Sequence, residues 1–98
     1  MEIIVTRNGT EVTIALEGRL DIITAPDLED QIEDLLEGAD KLIFDFAKLK
    51  YISSAGLRIM LTAMQIMEDK QGMVVKNVTP EVMSIFEVTG FIDDLTIE

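Results

Sequence analysis

Residues 42–58 have the sequence LIFDFAKLKYISSAGLR, and this stretch decides how the chain folds. Its first part, Leu42–Phe46, is a short apolar run typical of a strand buried on both faces, with Asp45 as the exception. A helical pattern of apolar side chains begins directly after Ser53 and Ser54. We therefore expect a strand, a short connection and a helix, with two hydroxyl groups where the helix begins and Ser54 as its cap.

An antiparallel hairpin is predicted before this stretch. Residues Glu2–Arg7 and Glu11–Glu17 alternate apolar and polar side chains, as half-buried strands do. Asn8-Gly9 lies between them and is the strongest short signal for a hairpin turn. We therefore expect two antiparallel strands ahead of the first helix.

Three helices are predicted from capping residues, prolines and apolar spacing. The first begins at Thr24, whose hydroxyl is placed to cap it, and ends at Gly38. The second extends from the double serine to about Lys70, and the third lies between Thr79 and Gly90. Apolar side chains at helical spacing form a stripe on each helix: Leu28, Ile32, Leu35 and Leu36, then Leu57, Met60, Leu61, Met64 and Met67, then Val82, Ile85 and Phe86.

Two further strands, Met73–Lys76 and Asp94–Ile97, complete the order β-β-α-β-α-β-α-β. Alternating strands and helices with short connections imply a mostly parallel sheet covered by helices, with the hairpin as an antiparallel edge. The prediction is one α/β domain over residues 1–98. It has a mixed, mostly parallel sheet of four to five strands and about three helices.

The composition excludes several classes of function. The 98 residues include no histidine and no cysteine, which removes Ser-His-Asp and Cys-His catalysis, disulfides and the usual zinc ligands. Nineteen acidic against eight basic residues give a formal charge of −11, which repels nucleic acids. No apolar run has the length of a membrane span, and no signal peptide is recognisable. We expect a cytoplasmic protein without cofactor, metal, nucleic acid or membrane insertion.

Ser53 and Ser54 are the first candidate chemical site. A nucleophilic serine needs a general base and an oxyanion hole, and the G-x-S-x-G elbow is absent because Ile52 stands where its first glycine would be. On spacing alone, helix capping is the favoured role of these serines. Among functional roles a phosphate acceptor at Ser54 is favoured over a catalyst, because the N–H groups and the dipole at a helix start accommodate added negative charge. Three cations near the serines are either ordinary surface charges or a local positive rim: Lys48, Lys50 and Arg58.

Asp45 is the second candidate. A carboxylate near the end of a parallel strand can accept a phosphoryl group, as in response-regulator receivers. Those proteins also need an acidic pair for Mg²⁺, whereas Asp21 is a single acid after an antiparallel strand. The favoured interpretation is that Asp45 is a hydrogen-bonded residue at the end of its strand.

Three segments resemble the signatures of one family. Tyr51–Arg58, after an apolar strand, resembles the signature of STAS domains, specifically the stand-alone bacterial anti-sigma factor antagonists. Gly18–Asp21 followed by Thr24-Ala25 resembles their second signature, and Val88–Phe91 resembles the turn after their third helix. The resemblance extends over almost the whole chain in order and spacing.

This resemblance implies a non-enzymatic binding protein that phosphorylation controls. Members bind an anti-sigma factor that is also a serine kinase, which frees a sigma factor for transcription. The kinase phosphorylates one signature serine, and a serine phosphatase restores the unmodified protein. A STAS subunit of a stressosome-like or membrane-transport assembly is the alternative function.

The resemblance also assigns site residues. Matching Gly56 to the family glycine places the phosphate acceptor at Ser54. Ser53, where many members have an aspartate, is the alternative acceptor. The residues implied in partner binding are Asp21, Ile22, Ile23, Thr24, Ser53, Ala55, Gly56, Leu57 and Arg58.

Overall fold

A four-stranded mixed sheet forms the centre of the structure, a computed structural model that describes residues 1–98. The elements are β1 (Glu2–Asn8), β2 (Glu11–Leu20), α1 (Ala25–Leu36), β3 (Lys41–Ile52), α2 (Ser54–Met67), β4 (Met73–Lys76) and α3 (Pro80–Thr89). The strands lie in sequence order; β1 is antiparallel to β2, and β3 is parallel to both β2 and β4. The predicted α/β class, hairpin and three helices are confirmed. None of the helices has both the length and the hydrophobicity of a transmembrane segment.

The hairpin turn lies one residue later than the sequence predicts. Asn8 is the last residue of β1 and pairs with Glu11, so Gly9 and Thr10 form the turn instead of Asn8 and Gly9. Gly9 has a φ of 65° and needs the conformational freedom of glycine. A glycine in the first of two turn positions is the type II′ pattern, whose twist suits a hairpin.

Strand β3 continues to Ile52, beyond the predicted end at Phe46. The sequence pattern does not reveal its second half because that half contains two bulges. Its pairing with β2 takes up one extra β3 residue between Asp45 and Lys48 and another between Leu49 and Tyr51. Each bulge interrupts the alternation of buried and exposed side chains, so the sequence pattern stops at Phe46 while the strand continues. The bulged second half of β3 ends at Ile52, directly before the two serines.

All three helices pack on one face of the sheet. Fully buried strand residues on that face include Ile14, Leu16 and Phe44. They form one hydrophobic cluster with buried helix residues: Leu28, Ile32 and Leu36 of α1, Leu57, Met60, Ala63 and Met67 of α2, and Val82 and Phe86 of α3. Ile4, which points to the opposite face of the sheet, is exposed.

Two helical predictions need correction. Leu61 is 42% exposed and lies outside the buried stripe, because it sits on the same side of α2 as exposed Arg58, one turn earlier. The helix also ends at Met67 and the residues up to Lys70 form turns, so the predicted end is too late.

The predicted last strand, Asp94–Ile97, is reduced to a single bridge. A short 3₁₀ helix occupies Phe91–Asp93, and only Ile97 then pairs with the sheet, parallel to Val75. The alternation of apolar and polar residues is too brief there to distinguish a strand from an extended segment that touches the sheet once. The sheet therefore has four strands, within the predicted four to five.

Gly56 in the first turn of α2 allows the helix to lie directly on the end of the sheet. A Cβ atom at this position would lie 2.7 Å from Ile52 Cγ1 and 2.8 Å from Leu20 Cγ. Both contacts are shorter than van der Waals distance, and both side chains are fully buried. Gly56 thus fixes how closely α2 approaches β2 and β3.

We expect Gly56→Ala to lower the free energy of unfolding by about 1 to 3 kcal/mol, the usual cost of overpacking a core. Chemical denaturation measures the change. Leu20→Ala removes one of the two close contacts, so the double variant should lose less stability than the sum of the two single variants. Equal or greater stability of Gly56→Ala would contradict the account, because alanine is otherwise favoured over glycine in a helix by about 1 kcal/mol.

Candidate functional site

The carboxyl ends of β2 and β3 place the two predicted signature segments side by side. Leu20 pairs with Ile52 at the last position of both strands. One residue further, the Ser53 N–H donates to the Leu20 carbonyl at 2.9 Å. The loop Asp21–Thr24 therefore begins beside the start of α2, and the two segments form one edge of the molecule.

Ser53 and Ser54 have different structural roles. Ser53 has an extended backbone, with φ of −96° and ψ of 176°, and its hydroxyl accepts a hydrogen bond from the Gly56 N–H at 3.4 Å. Its carbonyl accepts the first helical hydrogen bond, from the Leu57 N–H. Ser53 is thus the N-cap, and the prediction that Ser54 caps the helix is wrong, because helical geometry begins at Ser54 and the cap is the residue before it.

Ser54 is left with an exposed hydroxyl. It is the first residue of α2, and its side chain makes no hydrogen bond within the protein. Ser53, by contrast, is half-buried and its oxygen is engaged in capping. Of the two serines, Ser54 is therefore the one that an enzyme reaches without dismantling the helix cap.

A ring of hydrogen bonds holds the loop Asp21–Thr24. Asp21 Oδ1 accepts from the N–H groups of Ile23 at 3.0 Å and Thr24 at 3.1 Å. In return, the Thr24 hydroxyl accepts from the Asp21 N–H at 2.9 Å and donates to the Arg19 carbonyl at 2.7 Å. Because its hydroxyl is used in this ring, Thr24 makes no side-chain capping bond to α1, and that prediction is wrong.

The pKa of the Asp21 carboxyl is lowered from its ordinary value. The largest cause is the hydrogen bond from the Thr24 N–H; partial desolvation opposes it, and the Ile23 N–H, the Thr24 hydroxyl and the Arg19 charge lower it further. Arg19 Nε lies 3.6 Å from Asp21 Oδ2, and its guanidinium lies 4.3 Å from the centre of the Tyr51 ring. The hydrogen bonds of the loop and the charge of Arg19 thus favour the ionised form of Asp21.

The sequence gives no local signal for the contact between Arg19 and Tyr51. The two residues are paired across β2 and β3 only after both bulges have shifted the register. Continuing the register of the first half of the strands without the bulges would not pair Arg19 with Tyr51. Only the three-dimensional structure brings this pair together with Asp21.

Two isoleucines stand out from this edge. Ile22 is 77% exposed and Ile23 is 82% exposed, although the backbone between them is fixed by Asp21. Adjacent exposed isoleucines in an ordered loop form an apolar surface whose exposure to water is unfavourable in free energy. This pair, together with Ser54 and Arg58 at the adjoining start of α2, is hereafter called the docking edge.

The other predicted partner-binding residues are less accessible. Gly56 and Leu57 lie on the buried side of the first turn of α2, and Ala55 is half-buried. Gly56 and Leu57 support the docking edge from below, whereas Arg58 is exposed on it.

The predicted positive rim includes only Arg58 on the helix that carries the serines. Lys48 is paired with Glu17 at 3.9 Å. Lys48 and Lys50 line a shallow depression together with Glu17 and Glu81. Neither serine lines this depression. These two lysines are therefore part of another surface.

Asp45 has the structural role that the sequence favours. Its Oδ1 accepts from the Ala47 N–H at 3.0 Å and from Asn77 Nδ2 at 3.1 Å, which ties the first bulge of β3 to the end of β4. No group of three or more acidic side chains able to hold a metal ion lies in the protein. The acidic pocket on which a receiver aspartate depends is not formed.

We expect Asp21→Asn to destabilise the protein at neutral pH and to have little effect in acid. A lowered pKa means that the folded state favours the carboxylate, so its contribution is present above the ordinary aspartate pKa of about 3.9 and is lost as the pH falls through the lowered value. Thermal unfolding of both proteins between pH 7 and pH 2 measures the difference. A difference that stays constant across this range would contradict the assignment.

The sequence is similar to a described family over nearly its whole length. The family model described as "Mlab, STAS domain" matches residues 3–97. BtrV of Bordetella bronchiseptica, which is named as an anti-sigma factor antagonist, is 33% identical over 79 residues, covering 79% of this chain and 68% of BtrV.

Solved structures show the same fold. An anti-sigma factor antagonist from Mycobacterium paratuberculosis superimposes with a TM-score of 0.87 and 21% identity, covering 98% of this chain and 83% of that one. The anti-sigma factor antagonist SpoIIAA in its unphosphorylated form gives 0.83 at 21% identity, covering 99% and 88% of the two chains. The phosphorylated form of Bacillus SpoIIAA gives 0.74 at 20%, covering 99% and 91%. With a family model that extends over residues 3–97 and a fold shared from end to end, the chain belongs to the STAS-domain family.

Proposed function

We propose that this protein is a regulatory binder that phosphorylation of Ser54 switches off. Unmodified, it binds an anti-sigma factor that is also a serine kinase, and a sigma factor is released in the bacterial cytoplasm. The observation that carries the proposal is the free, exposed hydroxyl of Ser54 on the docking edge beside Ile22 and Ile23. The relatives named as anti-sigma factor antagonists support it, as does the existence of SpoIIAA in phosphorylated and unphosphorylated forms.

The chain acts as the substrate in this reaction and supplies no catalytic group. The kinase transfers the γ-phosphoryl group of ATP: a bond forms between phosphorus and Ser54 Oγ, the bond to ADP breaks, and the hydroxyl proton passes to a base of the kinase. A serine phosphatase hydrolyses the product and returns the hydroxyl. The folded chain contributes an accessible acceptor in a fixed position.

The position of the acceptor explains how a phosphate prevents binding without unfolding the domain. The phosphate adds about −1.5 to −2 charges at neutral pH. Those charges would lie against an apolar contact made by Ile22 and Ile23, where desolvation of a dianion is costly. The helix itself persists because its cap is Ser53, whose hydroxyl is untouched.

We expect Ser54→Ala to abolish phosphorylation and to retain kinase binding, because it removes only the acceptor oxygen. The kinase is first recovered from a bacterial lysate with the unmodified protein as bait, and intact mass is then followed after incubation with that kinase and ATP. Ser53→Ala is the matched control: it should still gain one phosphate, yet lose about 1 kcal/mol of stability because the cap is gone.

Phosphorylation of Ser54→Ala at the rate of the original protein would overturn the site assignment. Recovery of a membrane transport ATPase subunit with no kinase of this kind would instead support the alternative, a STAS subunit of a larger assembly.

We expect Ile22→Ser combined with Ile23→Ser to weaken kinase binding at least about tenfold, since full burial of one isoleucine contributes roughly 1.5 to 3 kcal/mol. Thermal stability should stay unchanged, because both side chains are exposed in the free protein. Calorimetric titration measures the affinity. Val88→Ser is the matched control, because Val88 is equally exposed, at 85%, and lies at the end of α3. An equal loss in both proteins would contradict a specific docking edge.

A further inference from the structure

Arg58 is the one arginine of the chain whose guanidinium has no partner. Arg7 donates to backbone carbonyls at the end of α1. Arg19 is held between Asp21 and the Tyr51 ring. Arg58 is exposed, and no carboxylate lies within ion-pair distance of it, although the protein carries a net charge of −11.

The helix places Arg58 one turn after Ser54. Residues four apart lie on the same side of a helix, with Cβ atoms about 5 to 6 Å apart. Helical side chains lean toward the N-terminus, so the long side chain of Arg58 can reach back to Ser54. Both residues are exposed.

No acidic side chain on α2 competes for this guanidinium. The helical neighbours of Arg58 three and four residues away are Ala55, Ser54, Leu61 and Thr62, and none is charged. A phosphate on Ser54 would be the first anion within one turn. An anion four residues before a cation is also the more favourable order for a helical pair.

We propose that Arg58 is the intramolecular partner of the phosphate on Ser54. This inference rests on the proposed function, because it requires Ser54 to be the modified residue. The planar guanidinium binds two phosphate oxygens at once, which a lysine ammonium does not do. Phosphorylation then changes two features of the docking edge: it adds a dianion at Ser54, and it withdraws the free cation of Arg58 from any bound partner.

The test measures the ionisation of the phosphate itself. Phosphoserine is incorporated at residue 54 during protein synthesis, and the phosphorus resonance is followed by NMR from pH 4 to pH 8 in the full-length protein. A guanidinium bound to the dianion favours the charged form, so Arg58→Gln should raise the midpoint of the titration by about half a pH unit. Arg58→Lys should give a smaller rise, because the charge remains and the two-oxygen geometry is lost.

Lys50→Gln is the matched control, since it removes the same charge from an exposed residue of β3 outside α2. Its effect should be at most about a third of that of Arg58→Gln, as expected for an exposed charge that is screened by salt and makes no direct contact. Circular dichroism at each end of the titration confirms that every variant is folded.

Equal midpoints in the original protein and in Arg58→Gln would overturn the pairing, as would equal shifts in Arg58→Gln and Lys50→Gln. This result is independent of the kinase, because the phosphate is introduced during synthesis. Failure of the kinase to modify Ser54 would contradict the proposed function and leave the measured pairing intact.

Discussion

The structure depends most on the parallel pairing of β2 with β3 up to their last residues. That pairing joins Leu20 to Ile52 and continues into the hydrogen bond from the Ser53 N–H to the Leu20 carbonyl. The loop after β2 and the first turn of α2 therefore share one edge. Gly56 completes the arrangement, because any larger residue would push α2 away from both strands. The docking edge is a direct consequence of this contact.

In the proposed function, the two adjacent serines have separate roles, one structural and one regulatory. Ser53 caps α2 through its hydroxyl, so the helix does not rely on Ser54. Ser54 presents its hydroxyl to solvent one residue later, on a rigid first turn and beside two exposed isoleucines. A charge added there changes the surface that a partner meets, and the hydrophobic cluster beneath it is unaffected. In the proposed function, this separation allows a small domain to act as a reversible switch.

The sequence predicts those parts of the fold that depend on local periodicity, namely the hairpin, the three helices and the buried half of β3. It misses the second half of β3 because the bulges after Asp45 and Leu49 break the alternation of side chains. It also assigns the cap to the wrong serine. The two residues are chemically equivalent, and the pairing of Ser53 with Leu20 decides where helical geometry begins. The contact of Arg19 with Tyr51 depends on the same shifted register, so no local pattern contains it.

The central claim is that one phosphate on Ser54 abolishes partner binding while the domain stays folded. The most direct measurement is the affinity of the anti-sigma factor kinase for the unmodified protein and for protein fully phosphorylated at Ser54, with amide NMR spectra of both forms. We predict affinity at least about a hundredfold weaker after phosphorylation, a cost of about 2.7 kcal/mol, with spectral changes confined to the Asp21–Thr24 loop and the first turn of α2. Equal affinities of the two forms would contradict the account.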